Sequence, residues 1–365
     1  MNHNYAVIMA GGMGSRFWPA SRANYPKQFL DILGTGQTLI QQTFNRIEKT
    51  IPQENIYVIT SGDYIDLAKN QLPLIPKKNI LSEPERKNTA ASIAYASFKL
   101  FKEDTDASVI IAPADHLISD DDEFSRVCEV ALNFIQSNNA LFILGIKPTH
   151  PNIEYQYIQY DKNEVDKDIF KVTGYKKKTG RELATKYVSD GDHFWNSGIF
   201  IWKVSDILRM FQKFLPQMYY LFNNELPALN TLFESNVIRK IYVHLQDISI
   251  DAGVLEKADN VFIIPASFAW SDLGAWSSAW KSMNKDKNEN AVTGKNVMVI
   301  DSSNCMVHAP DDKLIVLQGL NDYIIIDTSD VLLICEKKNE QHIKEYIQQV
   351  RNKKGEQYLY KPGSS

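Results

Sequence analysis

The segment between residues 5 and 29 joins a glycine-rich turn to side-chain cations at short spacing. Its apolar start is followed by Gly11, Gly12, Gly14, Arg16 and Lys27. Backbone without side chains can turn sharply after a strand and present N–H groups to an anion. The neighbouring cations suit the charge of a triphosphate, although a plain turn beside solvated surface charges is the alternative. The spacing fits neither G-x-G-x-x-G nor the P-loop pattern, so any phosphate cradle here has another arrangement.

Two aspartates are candidate metal ligands. Asp115 follows the apolar run VIIAPA, at the C-terminal end of a predicted strand, where open α/β sheets place ligands. Asp272 lies between aromatic residues in AWSDLGAW. Carboxylate oxygens suit Mg²⁺, and together the two could hold one ion. Each aspartate also has a structural alternative, a turn cap for Asp115 and a helix N-cap for Asp272.

The elements that would position these side chains alternate along the chain. Apolar, partly β-branched runs predict strands at residues 5–10, 56–61, 109–112 and 140–146. Helical spacing occurs at residues 38–49, 89–101, 124–136, 205–214 and 226–233. This rhythm predicts an α/β fold whose mixed sheet is mostly parallel and carries helices on both faces.

The pattern changes after residue 286. Short β-rich runs (VMVI, CMVHA, LIVLQG, YIIID and VLLIC) recur every eight to ten residues, with turn residues between them. This repeat predicts a small β-rich, β-helix-like appendage, with a sandwich fragment as the alternative. One helix is expected near residues 342–350. We therefore divide the chain into a domain of residues 1–285 and an appendage of residues 286–365 that packs against it.

Composition excludes several classes of protein. The net charge of −4 predicts neither a nucleic-acid partner nor binding to an acidic membrane surface. No apolar stretch is long enough for a membrane helix, and no secretory signal is visible. The three isolated cysteines fit neither a disulfide framework nor a zinc site. We expect a cytoplasmic protein with reduced thiols.

The segment GGMGSRFWPASR…PKQF closely resembles the signature of the sugar-1-phosphate nucleotidyltransferases. Its Trp-Pro, Ser-Arg and Gln-Phe pairs are similar to the mannose-1-phosphate guanylyltransferase branch of that family. Further segments resemble the family in order, at residues 83–96, 110–116, 194–202, 248–258, 268–280 and 314–335. Such an ordered series is far more specific than any one motif. The resemblance implies a Rossmann-like nucleotidyltransferase core.

The resemblance also implies a reaction. A guanylyl group would pass from GTP to mannose 1-phosphate, giving GDP-mannose and pyrophosphate, by direct in-line attack of the sugar phosphate on the α-phosphate. Because the nucleophile is already an anion, catalysis needs alignment and charge neutralisation, with Mg²⁺ as cofactor. Transfer to a different hexose 1-phosphate and a non-catalytic, nucleotide-sugar-sensing subunit remain alternatives. The appendage is a possible homodimer surface.

The matching positions imply roles for individual residues. Catalytic roles fall to Arg16, which would hold the leaving pyrophosphate, and to Lys27, which would bridge triphosphate oxygens. The implied nucleotide-binding residues are Ala10, Gly11, Gly12, Gly14, Ser15, Arg16, Lys27, Glu83, Lys87, Asn88, Thr89, Ala90 and Asp115. The implied sugar-phosphate-binding residues are Tyr157, Lys178, Asn196, Gly198 and Asp251. The implied metal ligands are Asp115 and Asp272. Helix capping is the alternative for Asn88 and for Asp251.

Departures from the family pattern concentrate in the sugar-binding segments. Gln156 stands where the family has a glycine, and Lys177 stands where it has a glutamate. Lysine can only donate hydrogen bonds, whereas glutamate accepts them, so this exchange reverses the bonding sense of the pocket. Smaller changes are Lys87 for an arginine and Ala91 for a proline. The departures leave the expected triphosphate and metal residues in place and bear on the identity of the sugar.

Overall fold

The computed structural model describes residues 3–176 and 180–363. The expected sugar-site residues Lys177 and Lys178 lie outside these ranges. The strands that precede the appendage are β1 (Asn4–Met9), β2 (Ile56–Ser61), β3 (Ile80–Glu83), β4 (Ser108–Pro113), β5 (Leu117–Ile118), β6 (Leu141–Ile146), β7 (Tyr157–Asp166), β8 (Ile169–Lys176), β9 (His193–Lys203), β10 (Val261–Ala266) and β11 (Trp270–Ser271). Strands β5 and β11 pair with each other, and the others form one sheet.

That sheet has the order β3-β2-β1-β4-β9-β6-β10-β8-β7. Its pairings make seven of the nine strands point the same way, while β8 and β9 run against them. The prediction of a mostly parallel, mixed sheet is therefore confirmed. The C-terminal ends of β1, β3 and β4 meet at one edge, which is where the glycine loop, the 83–96 segment and Asp115 begin.

Helices cover both faces of this sheet, as expected. The helices of the chain are α1 (Leu39–Ile47), α2 (Ile65–Gln71), α3 (Asn88–Glu103), α4 (Asp121–Ser137), α5 (Arg181–Asp190), α6 (Val204–Phe214), α7 (Pro216–Asn224), α8 (Glu234–Val243), α9 (Trp276–Ser282) and α10 (Ile343–Lys354). Helices α9 and α10 pack with the appendage, and the others cover the sheet. Alternation along β1 separates two cores: Val7 faces α3 and α6, whereas Ile8 faces α1 and α4. The α/β prediction is confirmed at the level of layers.

One helix prediction was wrong. Residues 226–233 form only a short turn at Leu226–Ala228, and the helix begins at Glu234. Pro227 has no N–H to donate, and Asn230 adopts a left-handed backbone conformation with φ of 57°. These two residues interrupt the helical path although the apolar spacing continues through them.

The appendage contains β12 (Ala291–Thr293), β13 (Val297–Ile300), β14 (Met306–His308), β15 (Ile315–Gln318), β16 (Tyr323–Asp327) and β17 (Leu332–Glu336). Strands β12, β14 and β16 stack in parallel, so that Ala291, Met306 and Ile324 align in consecutive coils. Strand β13 stacks on β15 in the same way, and β17 closes the array against β16. The β-helix-like prediction is confirmed, whereas the division at residue 285 stays a prediction.

The appendage shares a hydrophobic cluster with the N-terminal loop. Phe17 and Trp18 pack in one cluster with Trp276, and appendage residues such as Met306 and Ile343 belong to the same cluster. The two parts are therefore joined by buried side chains as well as by the chain itself. Across the described residues, no helix combines the length and apolar character that crossing a bilayer demands.

Candidate active site

The glycine loop follows β1, and two side chains hold carbonyl groups of the loop by hydrogen bonds. Gln28 donates from Nε2 to the carbonyls of Ala10 and Gly12 at 2.8 and 3.0 Å, and Thr60 donates to Ala10 at 2.8 Å. The amides of Gly11 and Gly12 donate no hydrogen bond to any of the described residues. Fixed carbonyls and available amides are the arrangement that an anion cradle requires.

Gly14 connects this loop to the first cation. Its φ of 59° lies in the left-handed region, and a β-carbon there would be 2.6 Å from Cγ of Lys27. Both the conformation and the close approach require glycine. Gly14 therefore packs directly on the Lys27 side chain and leads into a short helical turn, Ser15–Phe17, that carries Arg16.

Lys27 lies where the candidate metal segments meet. Its Nζ is 3.0 Å from Oδ2 of Asp115, and it donates to the carbonyls of Asp272 and Leu273 at 3.1 and 2.9 Å. Burial raises the pKa of Asp115, but the Lys27 ammonium and the other local charges and hydrogen bonds outweigh it, so the pKa lies below its ordinary value. Asp115 is consequently a charged carboxylate at neutral pH.

Asp272 and Arg16 both contact Gly274. Oδ1 of Asp272 accepts hydrogen bonds from Tyr155 Oη and from the Gly274 amide, both at 3.1 Å. Arg16 contacts the Gly274 carbonyl at 3.3 Å and Glu154 at 3.4 Å through Nη1. Helix α9 begins only at Trp276 after an Ala275 cap, so Asp272 is not a helix N-cap.

The two aspartates suit a divalent ion that is shared with a phosphate ligand. Mg²⁺ commonly takes one or two protein carboxylates and completes its shell with phosphate oxygens and water. Within the described residues, the only group of three potential ligands is His3, Asp104 and Asp106. That group lies at the N-terminal ends of β1 and β4, the sheet edge opposite Asp115. Mg²⁺ binding by Asp115 and Asp272 remains a prediction with a suitable donor set.

The start of α3 is tied to the 248–258 segment. Asn88 has a φ of 62° and accepts from the Thr89 amide through Oδ1, at 2.9 Å. Oγ1 of Thr89 accepts from the Ile250 amide at 2.9 Å, and the Ala90 amide donates to the Ile248 carbonyl at 3.2 Å. Thr89 and Ala90 therefore hold the start of α3 and the 248–258 segment together, and their nucleotide contacts stay a prediction.

Glu83 flanks the glycine loop from the end of β3. Its Oε1 accepts from Ser92 at 2.7 Å and from Tyr242 at 2.9 Å, and a β-carbon on Gly11 would lie 3.6 Å from its Oε2. Burial raises the pKa of Glu83, and the two hydroxyl donors partly offset it. Lys87, also predicted to bind nucleotide, pairs with the neighbouring Glu85 at 3.2 Å.

Three of the predicted sugar residues, Asn196, Gly198 and Asp251, belong to one hydrogen-bond network. Asn196 donates from Nδ2 to Gln156 at 2.8 Å and to Asp251 at 2.7 Å, and its Oδ1 accepts from the Gly198 amide at 2.9 Å. Gln156 in turn donates to Glu256 at 3.1 Å. Burial raises the pKa of Asp251, although the Asn196 hydrogen bond opposes that rise. The glutamine at the family's glycine position is thus part of the network.

Tyr157 differs from the other predicted sugar residues because it is fully buried. Its hydroxyl accepts from the Asn152 amide at 3.0 Å, and its ring packs near Tyr187 and Trp195. These contacts give Tyr157 a packing role in this conformation. A sugar contact through Tyr157 stays a prediction that its burial does not favour.

Sequence reasoning missed three residues at the site. Tyr155 and Glu154 contact Asp272 and Arg16, and Tyr175 carries a buried hydroxyl without a partner among the described residues. Burial raises the pKa of Tyr175, and Asp251 and Glu256 raise it further. No local pattern in the run EYQYIQY tells which tyrosine faces the site.

A cleft of about 670 Å³ opens beside Arg16 and Asp272. Tyr155 and Trp270 form part of its wall, and Lys344 of α10 lines it from the appendage. The appendage therefore reaches the edge of the candidate site.

Comparison with known proteins gives concordant matches over both parts of the chain. Residues 5–289 match the family model for nucleotidyl transferases, and residues 295–350 match the MannoseP isomerase/GMP-like β-helix domain. The chain is 32% identical to the alginate biosynthesis protein AlgA of Pseudomonas putida, covering 93% of this chain and 70% of that protein. It is also 32% identical to mannose-1-phosphate guanylyltransferase 2 of Escherichia coli O157:H7, covering 97% and 75%.

A crystal structure from Thermus thermophilus, described as a mannose-1-phosphate geranyltransferase, aligns with a TM-score of 0.86 and 27% identity. The alignment covers 96% of this chain and all of that one. The matches to the family model and to these relatives agree with the site geometry. This chain belongs to the nucleotidyl transferase family.

Proposed function

We propose that this protein transfers a guanylyl group from GTP to mannose 1-phosphate, forming GDP-mannose and pyrophosphate. The observation that carries the proposal is the position of Lys27 between the glycine loop, Asp115 and the Asp272 segment. The ammonium group there touches both segments that carry the proposed metal ligands, and the alkyl part of the same side chain packs against the glycine loop. The names of the guanylyltransferase relatives support guanine and mannose as the base and the sugar.

The proposed chemistry requires no general base. An oxygen of the sugar phosphate bonds to the α-phosphorus, the bond from that phosphorus to the bridging oxygen breaks, and pyrophosphate leaves with the electron pair. Amides of the glycine loop hold the triphosphate, Lys27 offsets the charge that develops around the transferred group, and Arg16 holds the departing pyrophosphate. Asn196 and Asp251 orient the sugar phosphate for in-line attack.

We propose Asp115 and Asp272 as the protein ligands of Mg²⁺. The ion, when bound, neutralises phosphate charge and holds the reacting groups in register. Lys27 must then exchange its contact with Asp115 for a contact with phosphate, which preserves the charge balance around the ammonium group.

The sugar is the less constrained half of the proposal. Gln156 joins the Asn196 network in place of a glycine, so a hexose 1-phosphate other than mannose 1-phosphate is the second candidate substrate. The non-catalytic sensor is less well supported, because a sensor has no need of paired metal carboxylates beside Lys27.

The test is pyrophosphate release from GTP by the purified chain with Mg²⁺ and a panel of hexose 1-phosphates. We expect release to be fastest with mannose 1-phosphate, and mass spectrometry of the product to give GDP-mannose. Release with another hexose alone would select the second substrate. Binding of Mg²⁺·GTP by calorimetry without turnover of any hexose would contradict the catalytic proposal and favour the sensor.

Two further proposals concern the protein's surroundings. Cys128, Cys305 and Cys335 are unpaired and buried, which supports a reducing, cytoplasmic compartment. Met298 and Val316 are about half exposed on adjoining strands of the appendage, which supports a homodimer through that face. Light scattering at several protein concentrations tests the dimer.

A further inference from the structure

The segment between Gly14 and Lys27 packs against the C-terminal end of the chain. Arg22, at the centre of this segment, is 3% exposed. Its guanidinium donates to both carboxylate oxygens of Asp330 at 2.8 and 3.2 Å and to the carbonyl of Tyr358 at 2.7 Å. A weaker contact reaches the Tyr360 carbonyl at 3.3 Å. A cation in a phosphate-binding signature is thus committed to the appendage and not to phosphate.

Residues on either side of Arg22 also form hydrogen bonds with backbone groups of the C-terminal end. Trp18 donates from Nε1 to the Tyr358 carbonyl at 3.0 Å, and the Ala23 amide donates to the Leu359 carbonyl at 2.9 Å. The Lys361 amide donates to Oδ1 of Asn24 at 2.7 Å. Residues 356–361, which we call the tail strap, therefore lie along residues 18–24 and bind them at successive positions.

A buried arginine is strongly coupled to its partners. Removing one member of a buried ion pair leaves an uncompensated charge, so the surrounding segment must rearrange to reach water or another acceptor. The two ends of the strapped segment are Gly14 and Lys27, which lie so close together that a β-carbon on Gly14 would be 2.6 Å from Cγ of Lys27. A rearrangement between them would displace both groups that receive the triphosphate.

We propose that Arg22, Asp330 and the tail strap position the triphosphate-binding loop, so that docking of the appendage and binding of nucleotide are energetically coupled. The proposal rests on the proposed function, because it presumes that the loop receives a nucleoside triphosphate. The partners act through the loop and touch no substrate, so they are positioning residues. Coupling is reciprocal: whatever the docked strap adds to nucleotide affinity, bound nucleotide adds to strap docking.

The first test alters the appendage and leaves the catalytic residues intact. Asp330→Ala removes the carboxylate partner of Arg22, and a chain that stops at Gly355 lacks the tail strap. Asp311→Ala is the matched control, since Asp311 pairs with Lys295 at 2.7 Å inside the appendage and contacts no residue of the loop. A chain that stops at Lys361 controls for shortening as such.

We expect the dissociation constant of Mg²⁺·GTP to rise about tenfold in Asp330→Ala and in the strap deletion. The Michaelis constant for the hexose 1-phosphate should stay within about twofold of the wild-type value, because Asn196 bonds Gln156, Asp251 and Gly198, none of which belongs to the strapped segment or to the strap. Both control chains should match the wild type. Arg22→Lys should retain more nucleotide affinity than Arg22→Ala, because a lysine still pairs with Asp330.

The outcomes separate this inference from the proposed function. If the unaltered chain binds no GTP, the proposed function fails and the coupling fails with it. If the unaltered chain binds and turns over GTP while a folded strap-deleted chain does so equally well, only the coupling is wrong. Equal rises in the Michaelis constants of both substrates would indicate general destabilisation and would also overturn it.

Hydrogen exchange gives a second readout that does not depend on turnover. Addition of Mg²⁺·GTP to the full chain should slow amide exchange in peptides that contain residues 356–361, and should leave peptides of β13 and β15 unchanged. Unaltered exchange in the tail strap at saturating nucleotide would contradict the reciprocal coupling.

Discussion

At the phosphate end of the site, Lys27 is held by one carboxylate and two backbone carbonyls, whereas at the sugar end Asn196 is held by two side chains and an amide. At the phosphate end, the Asp115 carboxylate is an anionic partner that a phosphate oxygen can replace in kind, and the two carbonyls are neutral acceptors. The sugar-end partners are directional hydrogen bonds, and a ligand must match each one that it displaces. Gln156, a departure from the family pattern, also lies at the sugar end.

From this difference we expect the phosphate end to contribute mainly to the rate of transfer and the sugar end mainly to the choice of sugar. Replacing one ionic partner by another requires little rearrangement, so the phosphate end should tolerate many nucleotides of equal charge. A buried donor or acceptor left unpaired costs about 1–3 kcal/mol, so the sugar end should discriminate between hexoses that differ at a single hydroxyl.

The comparison predicts its largest effect for Lys27→Ala. We expect the turnover number to fall about a thousandfold, because the ammonium group is the cation nearest to the proposed reacting phosphate. Sugar-phosphate affinity should hardly change. Lys49→Ala is the control, since Lys49 forms an exposed pair with Asp121. Stopped-flow measurement of product formation in both variants checks the result, and turnover within a factor of about ten of wild type would remove Lys27 from the mechanism.

The next effect concerns Asp115→Asn and Asp272→Asn. Each variant should raise the Mg²⁺ concentration for half-maximal activity by about 10- to 100-fold, because an amide oxygen is a weaker ligand than a carboxylate. Asp66→Asn, at an exposed surface pair with Lys69, should leave the metal requirement unchanged. Magnesium titrations identical to wild type in both site variants would place the metal elsewhere.

A smaller and more selective effect is expected for Asn196→Ala. Loss of this side chain leaves Gln156 and Asp251 without their shared donor, so we expect the Michaelis constant for the hexose 1-phosphate to rise about tenfold. The constant for GTP should remain within about twofold. Steady-state kinetics with each substrate varied in turn checks the split, and a parallel rise in both constants would show that the two ends are not separable.

The smallest effect is expected for Gln156→Gly. Removing the glutamine frees one Nδ2 hydrogen of Asn196 and restores the glycine of the family pattern. Relative activity toward different hexose 1-phosphates should then shift by about three- to tenfold, with turnover of the preferred sugar largely retained. An unchanged ranking across the panel would mean that Gln156 fills space without selecting the sugar.

The fold was predictable where a pattern is local and repeated. Apolar runs predicted strands β1, β2, β4 and β6, and helical spacing predicted helices α1, α3, α4, α6 and α10. Short β-rich runs predicted the coils of the appendage. Residues 226–233 show the limit, because apolar spacing continued through Pro227 and the left-handed Asn230, where backbone geometry ends the helical path. Spacing records which face of an element is apolar and not whether the backbone can stay helical.

The contacts at the phosphate end were easier to anticipate from the sequence than those at the sugar end. The motif displays both the glycine at position 14 and the charge of Lys27, and the structure packs these two residues together. The hydrogen bonds of Tyr155 to Asp272 and of Arg22 to Asp330 join residues 117 and 308 positions apart. Nothing local in the sequence marks such pairs. The burial of Tyr157 likewise depends on which side of its strand meets the core.

The tail strap also determines which parts of the chain could be exchanged with those of a relative. Peptide continuity suggests that a hybrid enzyme could be made by grafting a relative's appendage onto this core at the junction near residue 290. Yet Trp18, Arg22 and Asn24 are complementary to their own tail, and the junction lies far from them along the chain. A working hybrid must therefore inherit residues 18–24 and the C-terminal end from the same parent.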